Sequence, residues 1–77
     1  MIKAAFLNEM EGILQAEPKT LTGSESLDQF RSWDSMAILL FITLADESFG
    51  VTLSPKGITA CKTIDDLFDL ASNGNAH

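Results

Sequence analysis

The segment best suited to chemistry is Asp34-Ser35-Met36, because it joins a hydroxyl group to the start of an apolar run. Asp34 is of a residue type that caps helices, so we expect Ser35 to be the first helical residue. The first N–H groups of a helix have no partner within it, and the dipole favours an anion there. A phosphodiester on the Ser35 hydroxyl would be stabilised and would project into solvent. Alternatively, Ser35 is an ordinary helix-start serine.

The other reactive side chains lack partners. Cys61 is the only cysteine, and the only histidine, His77, is the last residue. A Ser-His or Cys-His nucleophile therefore has no internal base, and neither an intrachain disulfide nor a CxxC metal motif exists. We expect no catalytic residue and no metal site, and we expect Cys61 to be a small buried hydrophobic residue.

Composition and charge exclude several classes of partner. The 77 residues suffice for a single domain, 1–77, and 45% of them are hydrophobic, which is typical of a globular chain. The net charge of −6 disfavours nucleic acid and favours basic patches on other proteins. The longest apolar stretch, 36–45, is about half of the ~20 residues that a membrane span needs. With no secretory signal pattern, we expect a cytoplasmic protein.

Hydrophobic periodicity predicts a first helix over residues 2–16 and a long loop over 17–33. Glu9 and Glu11 fall outside the apolar stripe of this helix. Loops of this length in small domains are often functional, and we expect a short helical turn around 27–31. The stripe consists of Ile2, Phe6, Met10, Ile13 and Leu14, and the expected loop anchors are Leu21, Leu27 and Phe30.

Cap and stop signals divide the second half of the chain into three helices, which makes the fold class all-α. Gly50 ends a helix over 35–49, and Ser54-Pro55 begins a short helix that carries Ile58 inward. Thr63 begins the last helix with a capping box in which Asp66 replaces the usual Glu or Gln. Residues 72–77 are a polar tail that we expect to fray. The core face of the helix over 35–49 is expected to be Ile38, Phe41, Ile42, Ala45 and Phe49.

Over nearly its whole length the chain resembles the acyl carrier proteins, the phosphopantetheine-binding carrier family. Asp34-Ser35-Met36 matches the Asp-Ser-Leu attachment motif of that family, with Met in place of Leu. Asp46-Glu47-Ser48-Phe49-Gly50 matches the acidic end of the second helix and the Phe-Gly that follows it. Val51-Thr52-Leu53 matches a Val-x-Leu segment, and Thr63-Ile64-Asp65-Asp66-Leu67 matches the opening of the fourth helix.

The resemblance implies a four-helix acyl-carrier-like bundle with a long first loop and a short third helix. A phosphopantetheinyl transferase would move the 4'-phosphopantetheine arm of coenzyme A onto Ser35. The thiol of the arm would carry acyl groups as thioesters between acyl-loading and acyl-transferring enzymes, with no catalysis by the carrier itself. Asp34 would both cap the helix and contact the transferase. We expect a discrete, monomeric carrier.

The second helix departs from fatty-acid carriers, whose second helix is acidic. Residues 35–45 contain no charged residue, and Leu40 stands where those carriers often have an acid. The extra apolar residues could pack under the long loop, or they could form a docking surface for a dedicated partner in a specialised pathway. The candidate partner-binding residues are Met36, Leu39, Leu40, Thr43, Leu44 and Glu47.

The cargo stays open, because members of the family that the chain resembles carry fatty acids, polyketide units, aminoacyl groups or small hydroxy acids. The Gly-Gly pair that precedes the serine of peptidyl carriers is absent. Its absence argues against a peptide-synthetase carrier but still allows a stand-alone aminoacyl carrier. An unmodified helical interaction module of the same fold is a separate alternative. Trp33 either folds onto the core or makes contacts near the arm.

Overall fold

The computed structural model describes residues 2–73, and this part of the chain forms four α-helices and no strand. The order is a helix, a long connection with one 3₁₀ turn at Leu27–Gln29, a helix, a short helix and a last helix, as the sequence predicts. The second helix contacts each of the other three. The helices are α1 (Lys3–Leu14), α2 (Ser35–Phe49), α3 (Pro55–Thr59) and α4 (Ile64–Ser72).

Local capping determines both ends of α2. The Asp34 carboxylate accepts a hydrogen bond from the Ala37 N–H at 3.0 Å. At the other end Gly50 adopts the left-handed conformation, with φ of 69°, and its N–H bonds back to the last turn. The predicted bounds of 35–49 are confirmed because both signals act within a few residues of the helix end.

The starts of α3 and α4 follow the predicted cap signals. The Ser54 hydroxyl accepts from the Gly57 N–H at 3.3 Å, and Pro55 takes the first helical position. At α4 the Thr63 hydroxyl accepts from the Asp66 N–H, and the Asp66 carboxylate accepts from the Thr63 N–H, each at 3.1 Å. The shorter aspartate side chain therefore completes the capping box. Ser72 is still helical, so the predicted tail of 72–77 begins too early, and residues 74–77 lie outside the described residues.

Helix α1 is shorter than the predicted 2–16. Ile2 has an extended backbone and is 73% exposed, so it does not join the apolar stripe. Gln15 turns into the left-handed conformation, with φ of 57°, and ends the helix. A side chain in this conformation crowds the following carbonyl, which is why glycine is usual at such a position.

The core is built around Phe6, which is fully buried between the helices. Its ring meets the rings of Phe41, Phe49 and Phe68 edge to face, with centroids 6.1, 6.1 and 5.1 Å away. Edge-to-face pairs of this kind add about 0.5–1.5 kcal/mol each beyond the area that they bury. The other fully or almost fully buried side chains are Met10, Leu14, Leu27, Ala37, Ala45, Ile58, Ile64, Leu67 and Ala71.

A buried carboxylate holds the first part of the long connection. Glu11 was expected outside the apolar stripe, but it is only 5% exposed. Its carboxylate accepts hydrogen bonds from the N–H groups of Thr20 and Leu21 at 3.0 and 3.2 Å. Periodicity misses this contact because the partners of Glu11 lie on the loop rather than on the helix.

The middle of the connection is bonded to the start of α4. Leu27 donates its N–H to the Lys62 carbonyl at 2.8 Å, and Asp65 donates to the Gly23 carbonyl at 2.8 Å. Gly23 has φ of 107°, and a Cβ at this position would collide with the Asp65 carboxylate. Leu27 is buried, and Leu21 and Phe30 pack half-buried against the core, which confirms them as loop anchors.

Candidate functional site

Ser35 lies at the surface, as the first residue of α2. The Asp34 side chain caps the Ala37 N–H, and the Asp34 carbonyl accepts from the Ile38 N–H at 3.0 Å. Within the described residues, the N–H groups of Ser35 and Met36 have no acceptor. An exposed hydroxyl therefore lies beside two available donors at the positive end of a helix, which is a favourable place for a phosphate ester.

The segment before Ser35 is held by the end of α1. The Ser32 hydroxyl donates to the Leu14 carbonyl at 2.6 Å, and the Trp33 N–H donates to the Phe30 carbonyl at 3.1 Å. Trp33 is half-buried, and its ring meets Phe41 edge to face at 6.3 Å. Trp33 thus packs on the core, which is one of the two predicted roles, and helps to position the start of α2.

Beside Ser35, α2 has an exposed apolar face, which consists of Met36, Leu39, Leu40 and Thr43. The first three are 63, 57 and 46% exposed, and Thr43 is also exposed. The long connection does not cover them, because it turns toward the start of α4 instead. Of the two alternatives for these residues, packing under the loop is therefore wrong.

The remaining candidate partner residues differ from each other. Leu44 is half-buried and packs against the core, so it lies at the edge of the exposed apolar face. Glu47 is exposed, one turn beyond Thr43 and beside the exposed Asp46. The face therefore changes from apolar near Ser35 to acidic toward the end of the helix.

A groove of about 230 Å³ opens between the end of α1 and the start of α2. Its wall includes Asp34 and Met36, the two chain neighbours of Ser35. The sequence gives no sign of this groove, because residues from α1, the loop and α2 meet there only after folding. The lining residues are Ile13, Gln15, Ser32, Asp34, Met36, Ala37 and Leu40.

Cys61 does not have the environment of a nucleophile. Burial raises the pKa of its thiol, and the nearby carboxylates of Asp66 and Asp69 raise it further. The half-buried thiol donates to the Gly57 carbonyl at 3.7 Å, as a small packed side chain. A raised pKa leaves little thiolate at neutral pH.

The acidic residues of α4 have structural partners. Asp65 forms an ion pair with Lys3, and Asp66 closes the capping box. The N–H groups of Lys62 and Thr63 lower the pKa of Asp66. Between residues 2 and 73, no group of three His, Cys, Asp or Glu side chains is arranged to hold a metal ion.

Comparisons with protein-family models, with curated proteins and with solved structures found no match. Within the described part of the chain, no helix combines the length and the apolar character needed to cross a membrane.

Proposed function

We propose that this protein is an acyl carrier protein, whose Ser35 hydroxyl receives 4'-phosphopantetheine from coenzyme A. The observation that carries the proposal is the surface position of Ser35 at the start of α2, behind the Asp34 cap and within Asp34-Ser35-Met36. The helix order, with a long first connection and a short third helix, agrees with the bundle that the family resemblance implies. The residues present fit the phosphate of this arm, since the N–H groups of Ser35 and Met36 are available as donors beside the Ser35 hydroxyl.

The attachment is a phosphoryl transfer that a phosphopantetheinyl transferase would catalyse. The Ser35 oxygen forms a bond to the phosphorus that carries the pantetheine, and the pyrophosphate bond of coenzyme A breaks. Adenosine bisphosphate leaves, and the transferase takes the hydroxyl proton. In the product, the N–H groups of Ser35 and Met36 and the dipole of α2 stabilise the charge of the phosphodiester.

The carrier function needs no catalytic residue in this chain. The arm supplies a thiol that holds an acyl group as a thioester, and the chain presents it to acyl-loading and acyl-transferring enzymes. A specialised biosynthetic pathway, or fatty-acid or polyketide synthesis, would use such a carrier. The carrier would act as a monomer in the cytoplasm.

The exposed apolar face of α2 is the proposed docking surface for these enzymes. Its three large apolar side chains lie next to the attachment serine, and contiguous exposed apolar residues commonly mark interaction sites. Leu44 borders the face, and Glu47 extends it with a charge. Docking would therefore depend mainly on apolar contact, with Asp34 contacting the transferase at the other end.

The same face favours a second candidate, a helical interaction module that is never modified. In that case the apolar face would bind its partner, and Ser35 would be a helix-start residue only. A stand-alone aminoacyl carrier differs from an acyl carrier in its cargo alone.

The intact mass of the protein, with and without a broad-specificity transferase and coenzyme A, separates the two classes. We expect a gain of one phosphopantetheinyl group, and we expect Ser35→Ala to abolish it. Ser48→Ala is the matched control, because Ser48 is an exposed serine on the same helix. No gain with several transferases would contradict the carrier function and would leave the interaction module.

Substitution of Leu39 tests the docking surface. Leu39→Glu places a charge in the exposed apolar face, and we expect the KM for the transferase to rise by about tenfold, as the loss of about 1.4 kcal/mol of binding would produce. Ile2→Glu is the control, because Ile2 is also exposed but precedes α1. Equal KM values for Leu39→Glu and the unmodified sequence would contradict docking through this face.

A further inference from the structure

The groove between α1 and α2 begins where a group attached to Ser35 must leave the protein. Both chain neighbours of Ser35, Asp34 and Met36, line the groove, so the attachment residue lies next to it along the chain. The groove is smaller than the roughly 300 Å³ at which small-molecule pockets begin. A groove of this size suits a short ligand segment.

The lining has two kinds of side chain. Ile13, Met36 and Leu40 supply apolar surface, and Gln15 supplies an amide that both donates and accepts hydrogen bonds. Ser32 also lines the groove, and because its hydroxyl gives its proton to the Leu14 carbonyl, only the acceptor capacity of its oxygen remains. Such a lining suits a ligand segment that carries methyl groups, a hydroxyl and an amide close together.

Gln15 is the second, independent observation. It takes the left-handed position that ends α1, where glycine would be free of strain, and its side chain forms part of the groove wall. Strained backbone positions cluster at ligand-binding sites, and Gln15 occupies such a position beside the groove. Lys19 is also left-handed, with φ of 63°, but it is not part of the groove.

We infer that this groove holds the first segment of the arm, the pantoyl unit that follows the phosphate. This inference rests on the proposed attachment at Ser35. The two methyl groups of the pantoyl unit pack on Met36 and Leu40, and its hydroxyl and amide bond to Asp34 and Gln15. The arm then leaves along the α1 side of α2, and its thiol end remains free for partner enzymes.

Nuclear Overhauser contacts between the arm and the labelled protein test the inference. Isotope-labelled protein is loaded from unlabelled coenzyme A, and intact mass first establishes the modification. We expect contacts from the pantoyl methyl protons to the methyl groups of Met36 and Leu40, together with changed amide shifts at Gln15. Modified protein without these contacts overturns the groove assignment alone. Protein that gains no mass overturns both the attachment and the groove assignment.

Two matched pairs of variants distinguish a loss of arm contacts in the groove from general effects on folding. Gln15→Gly removes the amide and relieves the strain, so we expect a higher melting temperature but at least a twofold loss of contact intensity. Lys19→Gly relieves the same strain and should keep the contacts. Leu40→Ser should weaken the contacts more than twofold, whereas Leu39→Ser, on the same face but outside the groove, should not. Equal contact intensities within each pair would overturn the inference.

Discussion

At the starts of both α2 and α4, a side-chain cap binds the third N–H of the helix, yet the start of α4 is closed and the start of α2 is open. At α4, every one of the first four N–H groups has an acceptor. The Thr63 hydroxyl serves the third, the Thr63 carbonyl serves the fourth, and carbonyl groups of the long connection serve the first two. The pairs are Ile64 to the Glu25 carbonyl, Asp65 to the Gly23 carbonyl, Asp66 to the Thr63 hydroxyl and Leu67 to the Thr63 carbonyl.

At α2 only the third and fourth N–H groups are bonded, both to Asp34. The N–H groups of Ser35 and Met36 correspond to the two that the long connection covers at α4. The difference therefore comes from the path of the connection and not from the quality of the cap. The open start of α2 leaves two donors beside a surface hydroxyl, where the proposed phosphodiester would use them, whereas the donors at the start of α4 are already bonded within the protein.

Removing the glycine that closes the start of α4 should have the largest effect on stability. In Gly23→Ala the new Cβ meets the Asp65 carboxylate, and the positive φ adds backbone strain. We expect a loss of about 2–3 kcal/mol in the free energy of unfolding, measured with urea. Gly12→Ala is the control, because a Cβ there meets nothing, and it should gain about 0.5–1 kcal/mol. A Gly23→Ala protein as stable as the control would show that the connection is not needed to close α4.

Removing the cap side chain of α2 or of α4 distinguishes an effect on stability from an effect on the modification of Ser35. Asp34→Ala and Thr63→Ala should each cost about 1 kcal/mol of unfolding free energy, since each removes one cap side chain. Only Asp34→Ala should also slow the transfer of phosphopantetheine to Ser35, by about tenfold or more. Equal transfer rates for the two variants, measured by intact mass over time, would remove the functional distinction between the two starts.

Acid should loosen the long connection first. The N–H groups of Lys19, Leu21 and Thr20 lower the pKa of Glu11 from its ordinary value of 4.5, against the opposing effect of burial. At Glu25, burial raises the pKa of the carboxyl group. The hydrogen bonds that the carboxylate accepts, mainly from backbone N–H groups, outweigh the effect of burial, so the pKa is lowered overall. Both carboxylates thus add stability above about pH 4.5, and this stability is lost as the pH falls through their lowered pKa values.

The measurement is the melting temperature between pH 7 and pH 2.5. Glu11→Gln should decrease the fall of the melting temperature on acidification, since it removes one of the groups that must be protonated. Glu9→Gln is the matched control, because Glu9 is exposed on the same helix. Identical pH profiles for the two variants would exclude the Glu11 carboxylate as an acid-sensitive anchor of the connection.

Local signals in the sequence determined the elements. Four residues mark helix ends because each cap bonds to groups only three to five residues away, so the local sequence contains both partners; they are Asp34, Gly50, Ser54 and Thr63. The end of α1 was misplaced, since a glutamine in the left-handed conformation gives no such signal. The sequence around Ser35 likewise predicts a hydroxyl group at the start of a helix.

Only the tertiary structure decided what those elements expose. Glu11 is buried because the loop returns to it, and Met36, Leu39 and Leu40 are exposed because the connection turns toward α4 instead. The groove beside Ser35 and the difference between the open and closed helix starts depend on residues about 20 to 40 positions apart. Helical periodicity describes the faces of one helix, but the path of the chain decides which of those faces are covered.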